Sequence, residues 1–126
     1  MANAPAHSTV AVLGASPKEE RYSFQAVRML KEHEHQPIPV HPAGHTVDGV
    51  PGVKSLTDIS DPVHTLTVYV NEKISSGEYD NILKLKPHRV VFNPGAENED
   101  LAGKLEQAGI EVVRACTLVM LRTGQF

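Results

Sequence analysis

A chain of 126 residues with 40% hydrophobic content is the size of one domain and holds enough apolar side chains for one buried core, so a single domain over 1–126 is expected, with 1–8 flexible. Its formal net charge of −3 gives no general attraction to nucleic acid or to an anionic membrane, and no apolar run approaches the roughly 18 residues needed to cross a bilayer. One cysteine excludes an internal disulfide framework, and the opening MANAPAHS lacks the basic and apolar segments of an export signal, which makes a reducing, cytoplasmic setting the expectation.

The first apolar run, Thr9–Leu13, ends in Gly14-Ala15-Ser16-Pro17. A glycine there lets the backbone turn sharply and approach a ligand, and Ser16 adds a hydroxyl. Neither the three-glycine dinucleotide fingerprint nor a Walker-type ending is present, so the turn alone fits phosphate binding and an ordinary glycine turn equally. Ser23, Phe24, Ala26, Val27 and Leu30 then share one arc, which predicts an amphipathic helix over Ser23–His33. A second strand is expected at Ile38–Val40, although Pro37 and Pro39 flank Ile38 in a run that should lie inside a sheet. The glycine- and proline-rich stretch 41–60 predicts a long connection with only short pieces of strand and helix. A third strand follows at Leu66–Val70. The segment Asn71–Leu85 divides at Ser75-Ser76-Gly77 into a turn or short helix and a helix from about Glu78. After a fourth strand, Val90–Phe92, Asn98 as N-cap and Gly109 as stop bound a helix whose Leu101, Leu105 and Ala108 share a face. Ile110–Val113 is the fifth strand, and the apolar LVML segment at 118–121 is read as a helix packing on the sheet, with a homodimer contact as the alternative.

Strands alternating with crossover helices predict an α/β fold, a doubly wound three-layer sandwich around a mostly parallel five-stranded sheet. Ligands in such sheets lie beyond the carboxyl ends of the strands, where strand order reverses. The positions to weigh are therefore Gly14-Ala15-Ser16, His41-Pro42, Asn71-Glu72-Lys73, Asn93-Pro94-Gly95 and Arg114-Ala115-Cys116. His41 stands where an NAD site usually presents an acid to the ribose, which counts against NAD. A phosphorylated receiver domain would need acids where the chain has Gly14 and Asn71. The seven histidines, with the pairs His33/His35 and His41/His45, join no cysteine or carboxylate at a metal-ligand spacing, so they read as solvated side chains and no metal is expected. Ser16 lies in no nucleophile elbow, no catalytic residue is assigned, and Cys116 reads as a small buried apolar residue.

VAVLGASPKEERYSF, PIPVHPAG, VDGVPGVKSLTDI, LTVYVNEK, NPGAENEDLAGKLEQAGIEVV and the late Cys116 run in order from about Thr9 to Arg122 without a large gap. Together they resemble the small stand-alone coenzyme A-binding proteins related to the N-terminal domain of the succinyl-CoA synthetase alpha subunit. The resemblance implies a Rossmann-like domain that binds coenzyme A or an acyl-CoA, with no catalytic activity established for the stand-alone form. Gly14, Ala15 and Ser16 match the turn that receives the diphosphate, and Arg21, Tyr22 and Ser23 match the segment closing that loop onto its helix. Pro42 matches the proline after strand two, while His41 replaces the more usual asparagine. Val70 and Asn71 fall on the adenosine side, without the family's arginine or proline near 71, and Lys73 follows in the same segment. Gly95 matches a glycine after strand four, with Pro94 and Ala96 departing from the pattern. Where many relatives carry Cys-x-x-x-Glu-His, Met120 and Leu121 replace the acid and the base. The synthetase's phosphohistidine loop is not matched, so ligase activity does not follow.

The function expected is a non-catalytic module for coenzyme A or an acyl-CoA. The alternatives are a small NAD(P)-binding, oxidoreductase-like protein using the same crevice, and a regulatory or interaction subunit with a vestigial cleft. The partner expected is a small-molecule nucleotide, not nucleic acid or a membrane, with a homodimer left open.

Overall fold

Five short, largely apolar runs form the strands β1 (Thr9–Leu13), β2 (Gln36–Val40), β3 (Thr65–Val68), β4 (Arg89–Phe92) and β5 (Glu111–Arg114) in the computed structural model, which describes residues 2–126. They pair in the order β2-β1-β3-β4-β5, and every pairing is parallel. The helices are α1 (Tyr22–Glu32), α2 (Glu72–Ser76), α3 (Tyr79–Leu85), α4 (Glu99–Gln107) and α5 (Thr117–Arg122), with a 3-10 turn at Leu56–Asp58.

Alternation along each strand sorts the core into two faces. Val10, Val12, Val91 and Val113 pack with Phe24, Val27 and Leu30 of α1 and with Met120 and Leu121 of α5. Their neighbours Ala11, Leu13, Leu66, Val90 and Phe92 point the other way, against Ile82 of α3 and Leu101 and Leu105 of α4. Burying one such aliphatic or aromatic side chain stabilises by about 1.5–3 kcal/mol, so the sheet held between two helical layers accounts for most of the driving force. The doubly wound, three-layer α/β architecture anticipated from the alternation of elements is the one observed, and LVML packs as α5 on the sheet.

Local signals explain the boundaries. Asn98 Oδ1 accepts the Leu101 N–H at 3.0 Å to cap α4, and Gly109 leaves that helix at φ +86°. Asn71 caps α2 through the Ile74 N–H at 2.9 Å, and Gly77 separates α2 from α3. The third strand closes two residues earlier than its apolar run suggests, at Val68, although the Tyr69 N–H still donates to the Leu13 carbonyl.

The expectation that Ile38 lies in an interior strand is corrected, because β2 is an edge. The Gln36 N–H bonds inward to the Ser8 carbonyl, whereas the Pro39 carbonyl and the His41 N–H face outward to Val53. Pro37 and Pro39 thus place their missing donors on the outer side, the arrangement in which proline costs a sheet least. The connection 41–60 folds back along this edge, bridging Val53 to Val40. Its Asp48 is clamped to α1 by Arg28 (3.2 Å) and Lys31 (2.9 Å), which hold the carboxyl below the usual range.

At the amino-terminal end of the sheet, Arg89 is buried and donates to Thr65 Oγ1 (2.8 Å) and to the Phe126 carbonyl (2.7 Å). The Ala4 N–H reaches the same carbonyl, tying residues expected to be flexible against the C-terminal segment. Among the described residues no helix is long and apolar enough to cross a membrane.

Candidate functional site

Strand order reverses between β1 and β3, so the chains leaving these strands diverge and open a crevice at the carboxyl edge. The crevice is a cleft of about 710 Å³. Nine residues singled out in the sequence meet in it: Gly14, Ser16, Arg21, Tyr22, Ser23, His41, Val70, Asn71 and Gly95.

Gly14 sits at the switch with φ +87°, and a side chain there would run into Val70 and the Tyr69 carbonyl. The Gly14 and Ala15 N–H groups donate to the Val40 carbonyl (2.8 and 3.3 Å), which ties the turn to the end of β2. The Ser16 N–H donates to Ser23 Oγ at 3.1 Å, and the Lys18 N–H donates to Ser16 Oγ at 3.1 Å. These bonds close the loop onto α1 and leave its own amides satisfied. The donors that remain belong to the first turn of α1, whose N–H groups have no intrahelical partner and no side-chain cap on Arg21. Lys18 and Arg21 flank that turn, both exposed. No carboxylate lines the cleft among the described residues, although the chain as a whole is net negative.

The opposite wall carries two imidazoles. His41 and His45 face each other with ring centroids 4.6 Å apart. Burial, and then the neighbouring His45, lower the His41 pKa from the ordinary histidine value. Next to Pro94 of the cleft, Asn93 is buried and donates from Nδ2 to Thr67 Oγ1 (2.7 Å) and to the Val68 carbonyl (2.9 Å). Its Oδ1 accepts the Thr117 N–H at 2.8 Å, so one side chain fixes the exits of β3 and β4 and the start of α5. The Tyr69 hydroxyl is buried next to this network without a hydrogen bond, and its pKa is pushed well above the usual phenol value, by burial first.

Three anticipated residues stand elsewhere. Ala15 is fully buried beneath the turn, because its side chain points into the α1 face of the core. Pro42 lines a smaller pocket of about 210 Å³ that shares Gly14, His41 and Val70 with the cleft and adds Lys54 and Ile74. Lys73 lines neither, being exposed in the first turn of α2. Cys116 also lies outside both. Sequence reasoning passed over Lys18, His45 and Tyr69, which do line the cleft. Lys18 was findable as a cation inside the turn segment and Tyr69 as the last pleat before Val70. His45 depends on the path of the 41–52 loop.

Residues 8–122 match the family model for the CoA binding domain. The chain is similar to a crystal structure of an uncharacterized protein, at 43% identity and a TM-score of 0.91, over 97% of this chain and 100% of that one. It is also similar to the structure of cell-free ID.343 from Thermus thermophilus, at 30% identity and a TM-score of 0.86, over 95% of this chain and 91% of that one. Among curated proteins it is similar to a 5-oxoprolinase subunit from Staphylococcus carnosus, 29% identical over 106 residues. That alignment covers 82% of this chain and 41% of that protein, so the chain spans about two fifths of the length of this relative.

Proposed function

The chain belongs to the CoA binding domain family, and on that footing we propose that it binds coenzyme A or an acyl-CoA in the cleft between β1 and β3, as a ligand-holding module without chemistry of its own. The observation that carries this reading is the uncapped first turn of α1 flanked by Lys18 and Arg21, in a cleft whose described lining holds no carboxylate. Helix N-termini favour anions through their free N–H groups and dipole, and two adjacent cations extend that preference to a diphosphate. The adenosine then lies toward the smaller pocket, where Lys54 supplies a cation for a ribose phosphate. The pantetheine arm runs past Gly95, where the lining is Pro94 and Ala96 and offers little competing charge. Ser16 and Ser23 spend their hydroxyl oxygens as acceptors within the loop, which supports holding a ligand rather than attacking one.

The test is to denature the purified protein and weigh the small molecules released, then to titrate the emptied protein with coenzyme A, NAD and NADP in parallel. Release of coenzyme A or an acyl-CoA, with coenzyme A the tightest ligand on titration, is the expected result. Release of a nicotinamide nucleotide would replace the reading. Failure of every nucleotide to bind would make the cleft vestigial.

A further inference from the structure

The two imidazoles of the cleft wall are not equivalent. The Ala43 N–H donates to His41 Nδ1 at 3.0 Å, which fixes the neutral tautomer with its proton on Nε2. Charging His41 would set a second N–H against the Ala43 donor. His45 meets His41 ring to ring and makes no side-chain hydrogen bond among the described residues. Its backbone is held from behind, because Gly52 approaches the His45 carbonyl too closely for any side chain at position 52. The other charged or titratable groups around the pair are Lys18, Arg21, Tyr22 and Tyr69 in the cleft, and Lys54 and Glu78, which share the smaller pocket with His41. Cations outnumber the single carboxylate there, so the surroundings of the pair favour an entering phosphate, and a phosphate beside the two rings favours a proton between them.

The geometry points to a proton-linked phosphate clamp, in which His41 donates from Nε2 while staying neutral and His45 takes up a proton as a phosphate of the ligand enters. The clamp rests on the coenzyme A reading above and adds a pH dependence that the reading does not require. Linkage is reciprocal: a ligand that draws one proton onto the protein binds up to tenfold tighter for each unit the pH falls through the titration. Uptake is partial at either end of that range, so coenzyme A affinity should rise about three- to tenfold between about pH 8.5 and 6.5.

Calorimetric titration with coenzyme A near pH 7, in two buffers of different ionisation enthalpy, counts the protons taken up. The ligand's phosphomonoester itself titrates near pH 6, so the count is compared with that of His45→Gln, a neutral side chain of similar reach. The protein is expected to take up roughly 0.3 to 1 more proton per ligand than the variant, and the variant to lose the rise in affinity toward low pH. Equal counts in the two proteins, both binding coenzyme A, overturn the clamp and leave the coenzyme A reading in place. Absence of coenzyme A binding by the unsubstituted protein overturns both. Should His45→Gln not fold, the His45 ring resonances of the intact protein serve instead: a titration midpoint that rises on adding coenzyme A supports the clamp, and an unmoved one overturns it.

Discussion

A methyl group on Gly14 would lie 2.6 Å from Cγ1 of Val70, across the point where β1 and β3 part. The approach is tight because the Gly14 N–H is bonded to the Val40 carbonyl on the other side. Gly14→Ala should therefore destabilise the protein by about 2–4 kcal/mol, combining the left-handed φ with overpacking. Adding Val70→Ala should recover about 1 kcal/mol, because it removes the clash and leaves the backbone strain. Urea unfolding of the two variants checks this. A Gly14→Ala protein as stable as the parent would show that the turn can open without cost.

The elements legible in the sequence were those written locally. Thr9–Leu13 is an unbroken apolar run, and the helix from Glu99 has both its cap, Asn98, and its stop, Gly109, in adjacent sequence. What escaped depends on partners far along the chain. Whether β2 is an edge is decided by strand order, so Pro37 and Pro39 looked misplaced until their outer side proved to face Val53. The candidate site divides in the same way. Positions just after the strands were readable from topology, whereas the burial of Ala15 depends on which way one side chain leaves the turn. His45 reaches the cleft because the loop folds back until Gly52 touches its carbonyl.

Asn93 joins three elements at once, through Thr67, the Val68 carbonyl and the Thr117 N–H. Asn93→Ala would leave a buried donor and acceptor unmet on each side. The expected loss is about 2–4 kcal/mol, at about 1–3 kcal/mol for each stranded group with partial relaxation. Asn93→Asp keeps an acceptor for the Thr117 N–H but buries a carboxylate whose second oxygen meets the Val68 carbonyl, so its urea midpoint near pH 7 should fall at least as far as that of Asn93→Ala. A midpoint for Asn93→Asp close to the parent's would show that the donation from Nδ2 contributes nothing.

Two histidines at the opposite end of the sheet predict the acid side of the stability curve. Thr65 Oγ1 accepts from Arg89 Nε and lies 2.8 Å from His64 Nδ1. The Ser8 N–H donates to His35 Nδ1 at 3.2 Å. Burial, followed by Arg89 for His64 and His33 for His35, lowers both pKa values and favours the neutral rings. With folded values below the unfolded value of about 6.5, the unfolded chain takes up protons first as pH falls. The stabilisation is complete above that value and is lost as pH falls through it toward the folded values. Each ring contributes at most about 1.4 kcal/mol per pH unit, less for partial exposure. Urea midpoints should drop between about pH 7.5 and 5.5, and His64→Gln should flatten the slope. A flat profile for the parent protein would count against this end of the sheet as its acid-sensitive part.

On the coenzyme A reading, Lys54 should decide which nucleotide the cleft prefers. It lines the smaller pocket with His41 and Pro42, and its chain passes Gly44, where an added methyl would meet Lys54 Cγ at 3.3 Å. On the same reading coenzyme A and NAD would both bring a pyrophosphate to the first turn of α1, so that contact would not separate them. An NAD site gains from a carboxylate that accepts the ribose hydroxyls, and the residue leaving β2 here is His41. Coenzyme A carries a 3′-phosphate on the same ribose, for which Lys54 and His41 are suitable donors. A hydrogen bond to a charged group is worth about 1.5–3 kcal/mol, so coenzyme A should be preferred to NAD by about tenfold to a hundredfold. Dephospho-CoA should lose much of that margin. Lys54 is exposed and makes no ion pair among the described residues, so Lys54→Ala should leave folding within about 0.5 kcal/mol of the parent. The same substitution should weaken coenzyme A about tenfold and dephospho-CoA hardly at all, because only the former presents a phosphate to the missing ammonium. Parallel titrations at one ionic strength decide the matter. If Lys54→Ala weakens both ligands alike, or NAD binds as tightly as coenzyme A, the ribose phosphate does not lie at Lys54.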